Sequence, residues 1–306
     1  MSRQTRVANN AQTVDAQIET MGTRKHPSIL VGLIGAGIGG SLSPAMHEHE
    51  GDMHGMRYQY KFIDLDKLNL DLGDLPELLL AAERMGFNGL NITYPCKQAV
   101  VQHLHELSDA AARIGAVNTV VFSNGRRVGH NTDAWGFFES FNEAIASHCE
   151  HDEILLLGAG GAGAAISHAL LGKTNCSLEI FDTDPSRASG LVESLADVYG
   201  NGRAVASRDT ADSVSRVNGV INATPVGMTR SPGYPIEPGL LRSDLWVADI
   251  VYFPIETKLV RAANDAGCTV MNGGGMAVFQ AARAFEIFTG VRPDIKRMKA
   301  HFNTLV

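Results

Sequence analysis

The clearest chemistry in this chain lies in its glycines. Gly158-Ala159-Gly160-Gly161-Ala162-Gly163 follows the apolar run Ile154-Leu155-Leu156-Leu157 and precedes a helical pattern over 164–171. Gly158, Gly160 and Gly163 fill GxGxxG: one permits a tight turn, one lets backbone approach a pyrophosphate, one allows close helix–strand packing. Gly161 and Ala162 complete the loop, and the following helix would offer free N–H groups and a positive dipole end to phosphates. The next strand pattern ends at Asp182, where a carboxylate can take the adenosine ribose hydroxyls. That acid repels a 2′-phosphate, and Thr183-Asp184-Pro185-Ser186 supplies no positive charge; Arg187 is the nearest cation. The expected ligand is a nicotinamide dinucleotide, NAD in preference to NADP.

Oxidation of an alcohol by such a cofactor needs a proton acceptor beside the hydroxyl. Lys97 follows Asn91-Ile92-Thr93-Tyr94-Pro95-Cys96, and Asp133 ends Gly129-His130-Asn131-Thr132-Asp133. A lysine held near a carboxylate and partly desolvated can exchange protons. Singly, each has a plainer reading: a solvated charge, or for Asp133 a helix N-cap. A second glycine turn, Gly35-Ala36-Gly37-Ile38-Gly39-Gly40, also follows a strand pattern. There Ser41-Leu42-Ser43-Pro44 interrupts the turn-to-helix entry, so it reads as a substrate loop.

These residues need elements to place them. The chain has 306 residues, 44% hydrophobic and 19% charged, a length that suggests two domains. Strand patterns run over 29–34, 58–63, 89–93 and 117–122, with helical patterns from Pro44, over 75–85 and over 95–107. Asn124-Gly125 signals a type I′ hairpin with a return strand toward Gly129. Further strands are expected over 154–157, 178–181, 204–206, 220–223, 246–251 and 269–271, with helices between most of them. That alternation implies a largely parallel sheet covered on both faces. The last patterns, 276–288 and 295–302, are helical, and residues 1–27 read as a poorly ordered leader.

The motifs resemble those of shikimate/quinate dehydrogenases, in the same order from about residue 29 to the C-terminus. They are Ser41-Leu42-Ser43-Pro44, Asn91–Lys97, Gly115-Ala116-Val117-Asn118-Thr119, Asn131-Thr132-Asp133, the Gly158 turn, Asn222–Met228, Asp249-Ile250-Val251-Tyr252 and the Gln280 helix. The resemblance implies an α/β protein of two domains. Residues 28–132 with 273–306 would form an N-terminal α/β substrate domain, and 133–272 a Rossmann-type doubly wound dinucleotide-binding domain. Residues matching Ser41, Ser43 and Tyr252 hold the substrate carboxylate in that family. Those matching Asn91, Thr93, Asn118, Asp133 and Gln280 surround the ring hydroxyls, and the lysine matching Lys97 transfers the proton. Thr224, Pro225, Met228, Ile250, Val251 and Gly273 join Asp182 and Arg187 on the cofactor side. The implied reaction is reversible oxidation of a ring hydroxyl of quinate or shikimate, a small cyclic hydroxy-carboxylate, to the 3-dehydro ketone. An NADP-dependent biosynthetic shikimate dehydrogenase is the nearest alternative; a non-catalytic dinucleotide sensor is the alternative outside enzymology. Two departures stand out: the family commonly begins G-x-P-x-x-H-S-x-S-P, and here Gly37 and Gly40 replace the Pro and His.

The net charge of −7 argues against nucleic acid or anionic membrane as partners. Cys96, Cys149, Cys176 and Cys268 are scattered and read as reduced thiols of a cytoplasmic protein. A homodimer is left open. His47, His49 and His54 look metal-like, but 47 and 49 face different ways on a helix; a solvated helix without metal is expected. Phe137, Phe138 and Phe141 read as interdomain packing with Trp135.

Overall fold

The computed structural model describes residues 27–145 and 152–306; the leader, Pro27 apart, and Cys149 lie outside them. The first part runs β1 (Ser28–Gly35), α1 (Ser43–Met53), β2 (Arg57–Asp64), α2 (Leu65–Leu68), α3 (Leu75–Arg84), β3 (Gly89–Ile92), α4 (Cys96–Ala99), β4 (Glu106–Leu107), α5 (Asp109–Ile114), β5 (Thr119–Ser123), β6 (Arg126–His130) and α6 (Asp133–Ala144). The second runs β7 (Glu153–Leu157), α7 (Gly161–Leu171), β8 (Ser177–Phe181), α8 (Pro185–Tyr199), β9 (Ala204–Ala206), α9 (Thr210–Arg216), β10 (Gly219–Asn222), β11 (Trp246–Asp249), α10 (Lys258–Asp265) and β12 (Thr269–Met271). Helices α11 (Gly274–Thr289) and α12 (Ile295–Phe302) finish the chain.

The first six strands form one mixed sheet, β2-β1-β3-β5-β6-β4, in which β1 pairs parallel with β2 and β3 while β5 pairs antiparallel with β3 and β6. The hairpin joining β5 and β6 turns at Asn124 and Gly125, both at positive φ, as a type I′ turn requires. The other six strands form a parallel sheet, β12-β11-β10-β7-β8-β9. Counted from its own first strand, this is the order 3-2-1-4-5-6, and its direction reverses beside β7, where the glycine turn leaves the sheet.

The aromatic cluster near residue 137 belongs to the second core. Phe137 and Phe141 are buried with Ile154, Leu156 and Trp246, whereas Ala284, Phe285 and Phe288 of α11 cover the first sheet against Val31, Tyr58 and Tyr60. Helices α6 and α11 meet closely because glycines lie between them. A Cβ on Gly136 would lie 2.8 Å from the Gln280 nitrogen, and one on Gly275 would collide with Ser140 Oγ. These two helices therefore join the layers at a fixed spacing.

Two expectations fail here. The helix over 95–107 breaks into α4, a 3₁₀ turn (Val100–His103) and β4. Leu104 turns to extended backbone, and β4 pairs with β6, so sheet hydrogen bonds outweigh the local helical pattern. Nor is α1 solvated on all sides. His47 is 1% exposed and its Nδ1 lies 2.9 Å from Tyr58 Oη, while fully buried Glu50 holds Arg297 of α12 through two hydrogen bonds. Burial lowers the His47 pKa to about 3. His49 does face another way, stacking on His301.

Candidate active site

Leu157 ends β7 against the carbonyl end of the parallel sheet, and Gly158 leaves it at φ 99°. The Gly158 N–H donates to the Phe181 carbonyl at 2.7 Å, so the turn is tied to β8 at once. A Cβ on Gly163 would collide with the Gly158 carbonyl, which explains why the third glycine is needed: α7 passes directly over the turn. No side chain caps α7, leaving its first N–H groups for an anion. Asp182 accepts from Ala159 N at 2.8 Å and from Asp184 N at 2.9 Å. Each oxygen keeps one further lone pair, enough for a pair of ribose hydroxyls. A Cβ on Gly160 would lie 3.8 Å from Arg187 Nη2, so the nearest cation in sequence is also beside the glycine turn. The cradle fits a dinucleotide.

A buried network shapes the opposite wall. Asn222 Nδ2 donates to the Val226 carbonyl and to Asp249 Oδ1, each at 2.9 Å. Thr224 Oγ1 donates to Asn222 Oδ1 at 2.6 Å and accepts from Val226 N at 3.1 Å, which folds the Thr224-Pro225-Val226-Gly227-Met228 loop back on β10. Asp249 is fully buried. It also accepts from Val251 N at 3.0 Å and Thr257 Oγ1 at 2.6 Å, and burial raises its pKa. Gly273 packs so closely on the Ile250 and Val251 carbonyls that a Cβ would reach 2.5 and 2.6 Å from them. Met228 is half-buried and Met276 buried.

The charged pair lies where the two sheets face each other. Lys97 Nζ donates to Asp133 Oδ2 at 2.7 Å, with 19% and 7% of the side chains exposed. Asn118 Nδ2 donates to Asp133 Oδ1 at 2.9 Å and to Thr132 Oγ1 at 2.8 Å, while Asn118 Oδ1 accepts from Thr132 N at 2.8 Å. Both carboxylate oxygens are therefore held, and with them the direction of the ammonium. Asp133 does not act as the N-cap of α6: Asn131 Oδ1 takes the N–H groups of Asp133 and Ala134 at 3.0 and 3.3 Å. The glycine turn reaches this pair directly, because a Cβ on Gly161 would lie 3.4 Å from Lys97 Cβ and 3.6 Å from Lys97 Cδ. Neighbouring Cys96 is buried, and burial pushes its thiol up to about 11, an inert environment.

The remaining polar side chains converge unevenly. Tyr252 Oη reaches Ser41 Oγ at 3.5 Å, and Ser41 Oγ accepts from Ser43 N at 3.3 Å. Burial raises the Tyr252 pKa, and Lys97 and Asp133 both act on it electrostatically, so the serine end and the charged pair share one cleft. Tyr60 was not foreseen. Buried on β2, it donates to Asn91 Oδ1 at 2.8 Å and interacts with Ser43. Asn91 spends its amide hydrogens on Thr119 Oγ1 and the Asn118 carbonyl. Asn91 and Asn118 thus have their donors committed to the protein, each acting first as scaffold. Thr93 sits against the Gly35 turn. Gln280 is half-buried on α11 and its Nε2 donates to the Ala277 carbonyl at 3.1 Å, away from the charged pair's hydrogen bonds. Among the described residues no group of three metal-ligating side chains forms.

Two family models match the chain: the shikimate dehydrogenase substrate binding domain over residues 33–120, and the shikimate 5'-dehydrogenase C-terminal domain over 273–301. Over 275 residues the chain is 50% identical to the shikimate dehydrogenase (NADP(+)) of Streptomyces avermitilis, covering 89% of this chain and 94% of that protein. The chain belongs to the shikimate dehydrogenase family. It is also similar to the quinate/shikimate dehydrogenase (NAD(+)) of Corynebacterium glutamicum, 43% identical over 91% of this chain and 99% of that one. The solved quinate dehydrogenase from Corynebacterium glutamicum in complex with NAD superposes with a TM-score of 0.83 at 42% identity, covering 91% of this chain and all of that one. Seen within the shikimate dehydrogenase family, the residues missed from sequence are supports: Tyr60, Asn131, Thr132 and the Asn222–Asp249–Thr257 network. Asn131, Thr132, Asn222 and Asp249 stand inside the motifs, whereas Tyr60 and Thr257 lie outside them.

Proposed function

We propose that this protein catalyses the reversible NAD-linked oxidation of a ring hydroxyl of quinate or shikimate to the 3-dehydro ketone. The observation that carries the reading is the Lys97–Asp133 pair at 2.7 Å, packed against a glycine turn fit for pyrophosphate and facing the Ser41–Tyr252 pair. The dinucleotide, which α7, Gly158–Gly163 and Asp182 would hold, would supply the hydride acceptor for the carbinol carbon. Lys97, entering as the neutral amine, takes the hydroxyl proton as the C–O bond becomes C=O; in the reverse direction its ammonium returns that proton. Asp133 stabilises the ammonium and aims it, and Asn118 holds Asp133. Ser41, Ser43 and Tyr252 bind the substrate carboxylate through hydroxyl donors. Asn91, Thr93 and Gln280 border the ring, with Asn91 acting through its remaining acceptor lone pair.

On the cofactor side, α7 and Gly158–Gly163 hold the pyrophosphate and Asp182 the ribose. Thr224, Pro225, Met228, Ile250, Val251 and Gly273 form the wall toward the nicotinamide. Asp182 favours NAD, because a 2′-phosphate would meet its carboxylate. NADP stays as the second reading on one specific observation, Arg187 beside Gly160, together with the NADP(+) in the name of the 50% identical relative. We assign residues 28–132 with 273–306 to the substrate domain and 133–272 to the cofactor domain, in a cytoplasmic enzyme, without nucleic-acid or membrane partners, that pairs as a homodimer. No helix among the described residues is long and apolar enough to cross a membrane. The deciding experiment assays quinate and shikimate with NAD and with NADP. Turnover of either acid with NAD supports the reading; turnover with NADP well above NAD overturns the role of Asp182, and none with any pair overturns the activity.

A further inference from the structure

The two glycines that depart from the family's common start each face a side chain from the other half of the molecule. A Cβ on Gly37, which sits at φ +62°, would collide with Arg230 Nη1 and lie 3.4 Å from its Cζ. A Cβ on Gly40 would lie 3.3 and 3.4 Å from Cε1 and Cδ1 of Phe253. Arg230 is presented by a tight turn in which Gly227 N donates to the Ser231 carbonyl and Ser231 N to the Met228 carbonyl. Its guanidinium donates to the Ala36 carbonyl at 2.7 Å and lies 5.7 Å from the Tyr94 ring centroid, within cation–π range. Ala36 in turn donates to the Tyr94 carbonyl at 2.9 Å. One guanidinium thus grips the Gly35 turn and the Asn91–Lys97 segment together.

We propose that Arg230 and Phe253 form a clasp across the cleft, with Gly37 and Gly40 left bare to receive them. Gly40 precedes Ser41, and Phe253 follows Tyr252, so the Phe253–Gly40 contact backs directly onto the Tyr252–Ser41 pair. Tyr94 lies three residues before Lys97, so the Arg230 contact backs onto the other end of the site. The two residues are positioning residues. They touch no reacting atom, and they fix the spacing between the carboxylate-binding end and the proton-transfer end. A loosened clasp weakens capture of the substrate while leaving Lys97, Asp133 and the phosphate loop unaltered.

The inference rests on the dehydrogenase reading, and a double-mutant cycle of Gly37→Ala and Arg230→Ala tests it with two readouts. The positive-φ strain of Gly37→Ala is present with and without Arg230 and cancels in the cycle. Each single variant is expected to raise KM for the acid about five-fold with kcat within two-fold, and the double variant to raise it no further. Arg230→Lys, which keeps the charge and loses the planar stack, is expected to recover part of the loss. Thermal unfolding of the same four proteins reads the contact without substrate, and the midpoint shifts are expected to be non-additive. Single variants with unchanged KM, or fully additive effects in both readouts, overturn the clasp. If the unaltered protein turns over neither acid, the activity falls and the unfolding cycle alone decides: non-additive shifts support the clasp and additive shifts overturn it.

Discussion

Around Gly158–Gly163 the groups offered to a ligand are main-chain N–H donors at the start of α7, whereas around Lys97 and Asp133 they are side chains that hold one another. The first kind of site is written in the residues that must be absent, since a Cβ at Gly163 would strike the Gly158 carbonyl. The second is written in residues that must be present, drawn from β2, β3, α4 and the strand ends near 118 and 131. A backbone site is most sensitive to change at its glycines. A side-chain site depends on partners that are far apart in sequence, and most of its hydrogen bonds are spent internally before any substrate arrives.

The largest effect should come from breaking the backbone site at its tightest point. Gly163→Val forces α7 away from the turn and should weaken NAD binding at least about 100-fold, measured by titration of cofactor fluorescence, because overpacking at such a contact costs several kcal/mol. Asn118→Ala attacks the side-chain site instead. It leaves Asp133 Oδ1 and Thr132 Oγ1 without their donor, at a cost of about 2 kcal/mol in unfolding free energy, with NAD affinity unchanged. Loss of NAD affinity in Asn118→Ala would erase the distinction between the halves. Asp182→Asn sharpens the backbone side, and should reduce the preference for NAD over NADP about ten-fold, equivalent to about 1.4 kcal/mol. An unchanged cofactor ratio would move the selectivity elsewhere, Arg187 being the next residue to replace.

The halves also differ in how acid reaches them. His47 supports the first sheet with a pKa lowered from 6.5 to about 3. The unfolded chain therefore binds this proton first, and stability falls as pH drops from about 6.5 toward 3, by up to about 1.4 kcal/mol per pH unit. Asp249, in the second sheet, is shifted the other way by burial. Its contribution weakens as pH rises from 3.8 through its raised pKa, so it does not oppose the neutral-to-acid loss seen from His47 above that range. His47→Asn should flatten the acid limb of an unfolding-midpoint-versus-pH curve. A limb of unchanged steepness would remove His47 as its source.

This contrast also governs what could be read from the sequence. Strands β7 to β12 were expected within about two residues of their bounds, because parallel strands buried on both faces are short apolar runs set off by glycine and polar turns. The Asn124-Gly125 hairpin was legible for the same local reason. The segment after Lys97 was not: its helical pattern yields to β4, whose partner Val128 to Gly129 lies in a strand formed later in the chain. Lys97 and Asp133 were visible as types, and their pairing came from resemblance, since nothing within either motif fixes a distance across 36 residues. Tyr60 carried no signal, being one aromatic among alternating strand residues. His47 was misread because its partner Tyr58 becomes a neighbour only when β2 packs on α1.

We propose that Lys97 exchanges the proton of the substrate hydroxyl while the cofactor is held by the glycine turn. Lys97→Ala, assayed for NAD affinity and for the rate of a single turnover in the same preparation, tests it most directly. The account predicts NAD affinity within about two-fold of the unaltered protein and a hydride-transfer step slowed about 10³-fold, within the usual range for a positioned acid–base group. A single-turnover rate within about ten-fold of the unaltered protein, or a loss of NAD binding that accounts for the whole defect, would contradict it.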